Sequence, residues 1–234
     1  MELALVTRRG CHLCDEALAL VRSLGLEPSL LDVDSDPALS DLYDFRVPVL
    51  LAADRLLAEG KLEHSTLART LGLPPVRIAS CGPEAGETVH RLTQEAFGPY
   101  GSLDPPSGAV REDRGAVVEE LAAHGGALAE LGGVPAGCLR LRPDGNHLLV
   151  RRLAIGPRFQ GQGIGRAMMA WAESEARRRG LEGVSVGVRL ALPGNLDFYR
   201  RLGYRQVSEH MHPGYDQPTW VSMRKGIAPR ADPG

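Results

Sequence analysis

No stretch of the sequence is apolar for long enough to cross a membrane as a helix. Neither sign of charge predominates. Lys and Arg number 27 against 29 Asp and Glu, for a net charge of −2. The composition therefore makes no general electrostatic case for nucleic acid or an anionic membrane as a partner. Cysteine is scarce, four in 234 residues. Such thiols are expected to be free, catalytic or redox-active rather than structural disulfides. The opening, Met1 to Arg9, has an acidic second residue and only a short apolar run, so no signal peptide is expected and the default compartment is the cytoplasm. With 43% hydrophobic and 24% charged residues, the rest is ordinary globular composition, long enough for one or two domains.

The chain is organised around Arg158 to Arg179. A strand predicted over 147–155 enters it through Gly156-Pro157, and a helix opens at about Gly163. Ile164, Ala167, Met168, Trp171 and Ala172 recur at helical spacing and make one apolar face. Glu173 with Arg177, and Glu175 with Arg179, are expected as exposed i,i+4 pairs. Glycines at 161, 163 and 165 let backbone N–H groups approach an anion, at a helix start whose unpaired N–H groups and dipole favour negative charge. The stretch reads as a pyrophosphate cradle. It is not a phosphate-binding P-loop, because Arg166-Ala167 stands where Lys-Ser/Thr is needed. Nor is it the dinucleotide fingerprint, which needs glycine at 166.

What it matches is Gln-x-x-Gly-x-Gly, as Gln160, Gly163 and Gly165, preceded by Leu153-Ala-Ile-Gly-Pro157 and followed by Asn195-Leu-Asp-Phe-Tyr199. In that order the three segments resemble the GNAT acetyltransferases. The resemblance implies an acyl-CoA N-acyltransferase fold over 76–227. It implies acetyl-CoA as cosubstrate, lying where the 147–155 strand splays from a strand at 184–188. Backbone of Leu153, Ala154 and Ile155 would pair with the pantetheine arm like an added strand. The pyrophosphate would rest on backbone N–H groups of Gln160, Gly161, Gln162, Gly163, Ile164, Gly165 and Arg166, with Arg158 and Arg166 as charge partners. Asn195 would bond the pantetheine. Tyr199 would protonate the departing thiolate, with core aromatic packing as the alternative reading of Phe198-Tyr199.

The base is less defined. Glu130, on a hairpin predicted over 127–141, is the first candidate. Glu119, Glu120, His210 and His212 are others, the two histidines sharing one face of a predicted strand. Tyr100, His210 and Tyr215, with Asp104 and Asp216, are candidates to line a pocket for a small-molecule or peptide amine acceptor. Cys81 and Cys138 fall in strands and read as buried, inert thiols. No metal is expected, since the two histidines lack a third ligand.

Residues 1–74 form a separate block. Strands are expected at 3–6, 29–33, 47–51 and 55–59, and helices at 11–24, 37–43 and 62–71, with Gly25 as a helix stop. Cys11-His-Leu-Cys14 lies between the first strand and first helix. There Cys11 gains thiolate character from the helix start, and Cys14, one turn on, can resolve a mixed disulfide. Arg8 and Arg9 add positive charge nearby. A structural C-x-x-C, or half a zinc site with only His12 and His64 at hand, are the alternatives. The order βαβαββα with that motif resembles the thioredoxin fold, most closely a small glutaredoxin-like domain. The resemblance implies a cis peptide at Val47-Pro48, with Pro48 presenting backbone to a substrate and a thiol or disulfide partner at Cys11. Leu71 to Pro75 is the boundary. Residues 228–234 are an expected disordered tail.

The sequence thus reads as an α/β protein with mixed sheets: an N-terminal thioredoxin-like domain and a C-terminal GNAT domain. Its expected function is acetyl-CoA-dependent N-acetyl transfer, with the small domain regulating or docking. Two alternatives stand: thiol-disulfide exchange at Cys11 and Cys14 with the second domain sensing acyl-CoA, or a non-catalytic binding protein. Nothing in the sequence excludes an oligomer.

Overall fold

A computed structural model describes residues 2–24, 26–53, 55–72 and 76–227. The expected helix stop at Gly25, the boundary prolines Pro74 and Pro75, the tail 228–234 and the side chain of His64 lie outside what it describes. The chain divides into two compact units, one made of 1–75 together with 160–163 and the other of 76–159 and 164–234. Among the described residues no helix is long and apolar enough to cross a membrane.

The first unit runs β1 (Leu3–Thr7), α1 (His12–Ser23), β2 (Ser29–Asp32), α2 (Pro37–Tyr43), β3 (Val49–Ala52), β4 (Arg55–Glu59) and α3 (His64–Thr70). Its four strands lie in the order β2-β1-β3-β4. β1 is parallel to β2 and antiparallel to β3. Strand alternation divides the apolar residues between two faces. Leu5 and Leu50 pack with Ala17 and Val21 of α1 and Leu67 of α3. Val6, Val49 and Leu51 pack with Val33, and with Leu39 and Tyr43 of α2. Each fully buried Val or Leu stabilises by roughly 1.5–3 kcal/mol, so helices cover both faces of the sheet.

The second unit runs β5 (Val76–Cys81), α4 (Gly86–Phe97), α5 (Arg114–His124), β6 (Gly126–Leu131), β7 (Val134–Asp144), β8 (His147–Ile155), α6 (Ile164–Arg178), β9 (Gly183–Arg189), α7 (Pro193–Arg201), β10 (Arg205–His210) and β11 (Trp220–Gly226). Seven strands lie in the order β10-β11-β9-β8-β7-β6-β5. β8 and β9 pair in parallel, and the other neighbours run antiparallel. α6 and α7 bury Ile164, Met168, Met169, Ala172 and Leu196 against Val184, Val186, Val188 and Leu139. α4 and α5 bury Val89, Leu92, Val117 and Leu121 on the other face, against Cys138 and Ala154.

Several expectations are corrected. The stripe of α6 is rotated: Met169 and Ala176 are fully buried, while Ala167 and Trp171 sit at its margin. Glu173 does not pair with Arg177. At that margin it faces β11 and accepts from Lys225 Nζ at 2.8 Å and the Tyr204 hydroxyl at 3.2 Å. Glu175 pairs with Arg179, but it is buried and also holds Arg178. α5 begins at Arg114, because the Asp113 carboxylate caps it by accepting from Ala116 N–H at 3.0 Å. Residues 98–111 include short 3₁₀ turns, at Gly98–Ser102 and Gly108–Arg111. The first tolerates Pro99 because a first turn needs no N–H there. Cys81 is partly exposed rather than buried.

Candidate functional site

In the second unit β8 and β9 are paired only from His147–Gly183 to Val150–Val186, although β8 continues to Ile155 and β9 to Arg189. The cause lies on the other edge of β8. Cys138 is opposite Ala154 and Arg140 is opposite Arg151, so Arg152 and Leu153 together face Leu139. This is a bulge, which bends its strand and increases the local twist. Arg152 has φ of 52°, rare for a residue with a side chain. β8 bends with β7 and leaves β9. Leu153, Ala154 and Ile155 then form one wall of a wedge, and Gly187, Val188 and Arg189 the other.

The turn expected to hold pyrophosphate follows that wall. Gly156 N–H donates to Ala136 O at 2.9 Å, which directs the chain off the sheet. Gly161 and Gly163 have φ of 76° and 75°, the left-handed region that glycine adopts without strain. α6 then begins at Ile164 with no acidic residue in its first turn. Arg166 is exposed there and makes no ion pair among the described residues. A cation in the first turn adds to the positive end of the helix dipole. Arg158 lies over the Phe159 ring at 4.7 Å. Gly165 serves packing: a Cβ there would come within 3.4 Å of Phe198 of α7.

α7 starts two residues before Asn195, because Pro193 suits its first turn. Asn195 is exposed on that turn. Tyr199 packs edge-on against Phe198 at 5.0 Å and Tyr204 at 5.7 Å. Its hydroxyl has no hydrogen-bond partner among the described residues, and burial pushes the phenol well above its ordinary pKa. Tyr199 therefore stays protonated through neutral pH, as a proton donor must.

The opposite face of the β9–β11 edge carries the candidate acceptor residues. His210 Nε2 lies 2.9 Å from both Ser208 Oγ and Ser222 Oγ, and the ring stacks on Trp220 at 3.9 Å. β10 ends at His210, so His212 is not on the strand as expected. Its Nδ1 sits 2.5 Å from Thr219 Oγ1, and burial together with the charge of Arg189 lowers its pKa. Asp104 accepts from the Tyr215 hydroxyl, joining the 98–108 segment to the β10–β11 connection. Asp216 is exposed and makes no ion pair among the described residues. Tyr100 instead packs edge-on against Phe97 at 5.7 Å.

Glu130 is not brought to the wedge. It lies on β6, and β7 stands between it and β8. Glu120 is only 7% exposed and holds Arg140, Arg142 and Arg151. Glu119 is exposed on α5. The sequence reading missed Glu112. It bridges Arg140 and Arg152, the arginine of the bulge, with 2.7 Å to the latter. Burial works against its charge, yet Arg152 and Arg140 hold its carboxyl below the usual range. A carboxylate so held is a poor proton acceptor near neutrality. The only signal in the sequence was paired arginines, 140/142 and 151/152, inside strands otherwise apolar.

In the first unit Cys11 caps α1. Its Sγ accepts from Cys14 N–H at 3.3 Å and lies 2.6 Å from Cys14 Sγ, both thiols being free. Cys11 is partly exposed and Cys14 buried. Burial and the Cys11 thiol push Cys14 up to about 11. The Val47-Pro48 peptide is cis. Arg8 does not act as free positive charge: its guanidinium bonds Asp34 and Asp44. Cys138 is fully buried, which pushes its thiol up to about 12, and burial pushes Cys81 up to about 11. Among the described residues no three His, Cys, Asp or Glu side chains cluster as metal ligands would.

Residues 87–204 match the acetyltransferase (GNAT) family and residues 2–72 match a glutaredoxin-like domain. The chain belongs to the GNAT acyltransferase family and carries a glutaredoxin-like domain at its N-terminus. Solved structures with this fold include the ribosomal-protein-S18-alanine N-acetyltransferase of Escherichia coli. It is 16% identical with a TM-score of 0.55, covering 68% of this chain and 98% of that one. PaiA N-acetyltransferase of Thermoplasma acidophilum, solved with coenzyme A, is 17% identical with a TM-score of 0.55, covering 65% and 99%. Aminoalkylphosphonate N-acetyltransferase of Salmonella typhimurium is 37% identical over 57 residues. That match covers 24% of this chain and spans 37% of the relative's length.

Proposed function

We propose that the second unit transfers an acetyl group from acetyl-CoA to an amine. The observation that carries the reading is the wedge between β8 and β9, set beside a glycine turn and a helix start with an unpaired arginine. Leu153 to Ile155 would bond the pantetheine arm, and the turn from Gln160 to Arg166 the pyrophosphate. Asn195 stands where it would bond the arm as well. The amine lone pair attacks the acetyl carbonyl carbon, and its π electrons move onto oxygen. A backbone N–H at the bulge steadies that charge. The C–S bond then breaks, and the CoA thiolate takes the Tyr199 proton. The proton of the new ammonium goes to a base on the acceptor face, where His212, biased towards its neutral form, is best suited. The fold likeness to a structure holding coenzyme A supports the cosubstrate.

Calorimetric titration with acetyl-CoA tests the cradle: Arg166→Glu should weaken binding at least tenfold. Equal binding by parent and variant removes the anion from this turn. Tyr199→Phe should lower kcat by about 10²-fold or more; unchanged turnover removes Tyr199 as the acid.

A second reading concerns the first unit, and the partly exposed Cys11 at the start of α1, with Cys14 one turn on, favours it. Cys11 thiolate attacks a disulfide sulfur and one substrate thiolate leaves. Cys14 then attacks Cys11 Sγ and releases the second thiol, leaving the pair as a disulfide for an external thiol to reduce. Cys11→Ser should abolish disulfide reduction, and retained reduction ends the reading. Whether the first unit docks or regulates belongs to the same proposal, and equal acetyl-transfer rates in oxidised and reduced protein would exclude redox regulation.

A further inference from the structure

Arg189 is the last residue of β9 and the end of the wedge wall that faces β8. Val184, Val186 and Val188 point into the core, so alternation sends Arg189 to the opposite face. There it is directly across from Trp220 on β11, which stacks on His210. One guanidinium nitrogen, Nη2, donates to Pro105 O at 2.6 Å and ties down the 98–108 segment. The Nε–H is buried and has no partner among the described residues, as is true of Arg140 and Arg224 too. No carboxylate comes within ion-pair distance of Arg189 among the described residues. Asp104, whose charge acts on Arg189, is exposed and is engaged by the Tyr215 hydroxyl. Desolvation lowers the pKa of Arg189 more than Tyr215 and Asp104 raise it.

A partly desolvated guanidinium without a carboxylate is costly to keep. The contrast with Arg140, which two glutamates hold in the same sheet, shows that this fold can pair a buried arginine. The planar group offers donors suited to a carboxylate or phosphonate. It does so beside the aromatic Trp220–His210 platform and near His212.

We infer that Arg189 binds an anionic substituent on the acceptor, so that the amine acetylated by this protein carries a carboxylate or phosphonate near its nitrogen. This rests on the acetyl-transfer reading of the wedge, because it places the acceptor on this face. Arg189 selects the acceptor; it takes no part in bond making.

The test titrates the full chain and Arg189→Gln calorimetrically with β-alanine, 2-aminoethylphosphonate and n-propylamine, each with and without saturating CoA. The expected result is that the parent binds the two anionic amines at least tenfold more tightly than n-propylamine. Arg189→Gln should lose that preference while its circular-dichroism spectrum matches the parent's, which shows that the variant is folded. Stronger binding of one of the two anionic amines separates carboxylate from phosphonate. Equal affinity of the parent for all three amines overturns the proposal, whatever the variant does, and so does a preference that survives in Arg189→Gln. A parent that binds no CoA sinks the acetyl-transfer reading instead, and the CoA-free titration then decides the anion preference by itself.

Discussion

Arg140 and Arg189 sit in one sheet and end in opposite settings. Arg140 is 1% exposed and lies between Glu112 and Glu120, which also gather Arg142, Arg151 and Arg152. Arg189 donates to a carbonyl oxygen and makes no ion pair among the described residues. The β6–β8 half of the sheet is covered by α4 and α5, so each charge there must be paired to be tolerated. The β9–β11 half has no helix on that face, and its arginine keeps donors for something outside the chain. A closed, ion-paired network holds the bulge of β8 in place, and an arginine with no ion pair among the described residues marks where a ligand fits.

Four measurements can break or sharpen this contrast. The largest effect is expected from Glu120→Gln, which removes the charge facing the buried Arg140. It should destabilise the protein by about 3–5 kcal/mol in urea unfolding, and a loss below about 1 kcal/mol would show that Arg140 does not depend on Glu120. Gly137→Ala comes next. Its Cβ would meet Ile155 Cδ1 at 2.7 Å and Ala154 O at 3.0 Å, an overpacking of about 1–3 kcal/mol that presses on the wedge wall.

Glu112 supplies the third. Its folded pKa lies below the ordinary carboxylate range, so its stabilisation is complete above that range. It is lost as the pH falls through the folded value, because the unfolded state takes up the proton first. Urea midpoints between about pH 3 and pH 7 should therefore fall more steeply on the acid side for the parent than for Glu112→Gln. Parallel profiles would remove Glu112 from the network. The smallest effect is expected from Gly187→Ala on the open half. The new Cβ would meet the Trp220 ring at 3.4 Å, close to ordinary contact, and stability should change by no more than about 0.5 kcal/mol. A loss like that of Gly137→Ala would show that the open face is packed as tightly as the closed one.

Local features were legible in the sequence. The C-x-x-C at the start of α1, the glycines of the turn before α6, and the periodic apolar residues of β1, β3, β8 and β9 each depend on neighbours a few positions away. Side chains whose partners lie far along the chain were not. Glu173 was assigned to Arg177 four residues on, and it bonds Lys225, 52 residues away. Glu120 stood as a candidate base and is an anchor for three arginines. Glu130 has the right chemistry, and the strand order puts β7 between it and the wedge. Arg8, counted as charge for Cys11, is bound to Asp34 and Asp44.

By itself, the sequence determined the elements, their order, the two kinds of unit and the segments that bear the chemistry, because periodicity, capping and glycine conformation act within a turn or a strand. The tertiary structure alone decided which charges are silent and which are available. Pairing, desolvation and the bend of β8 arise only when strands distant in the chain become neighbours, and there a buried carboxylate is either held by an arginine or left to act.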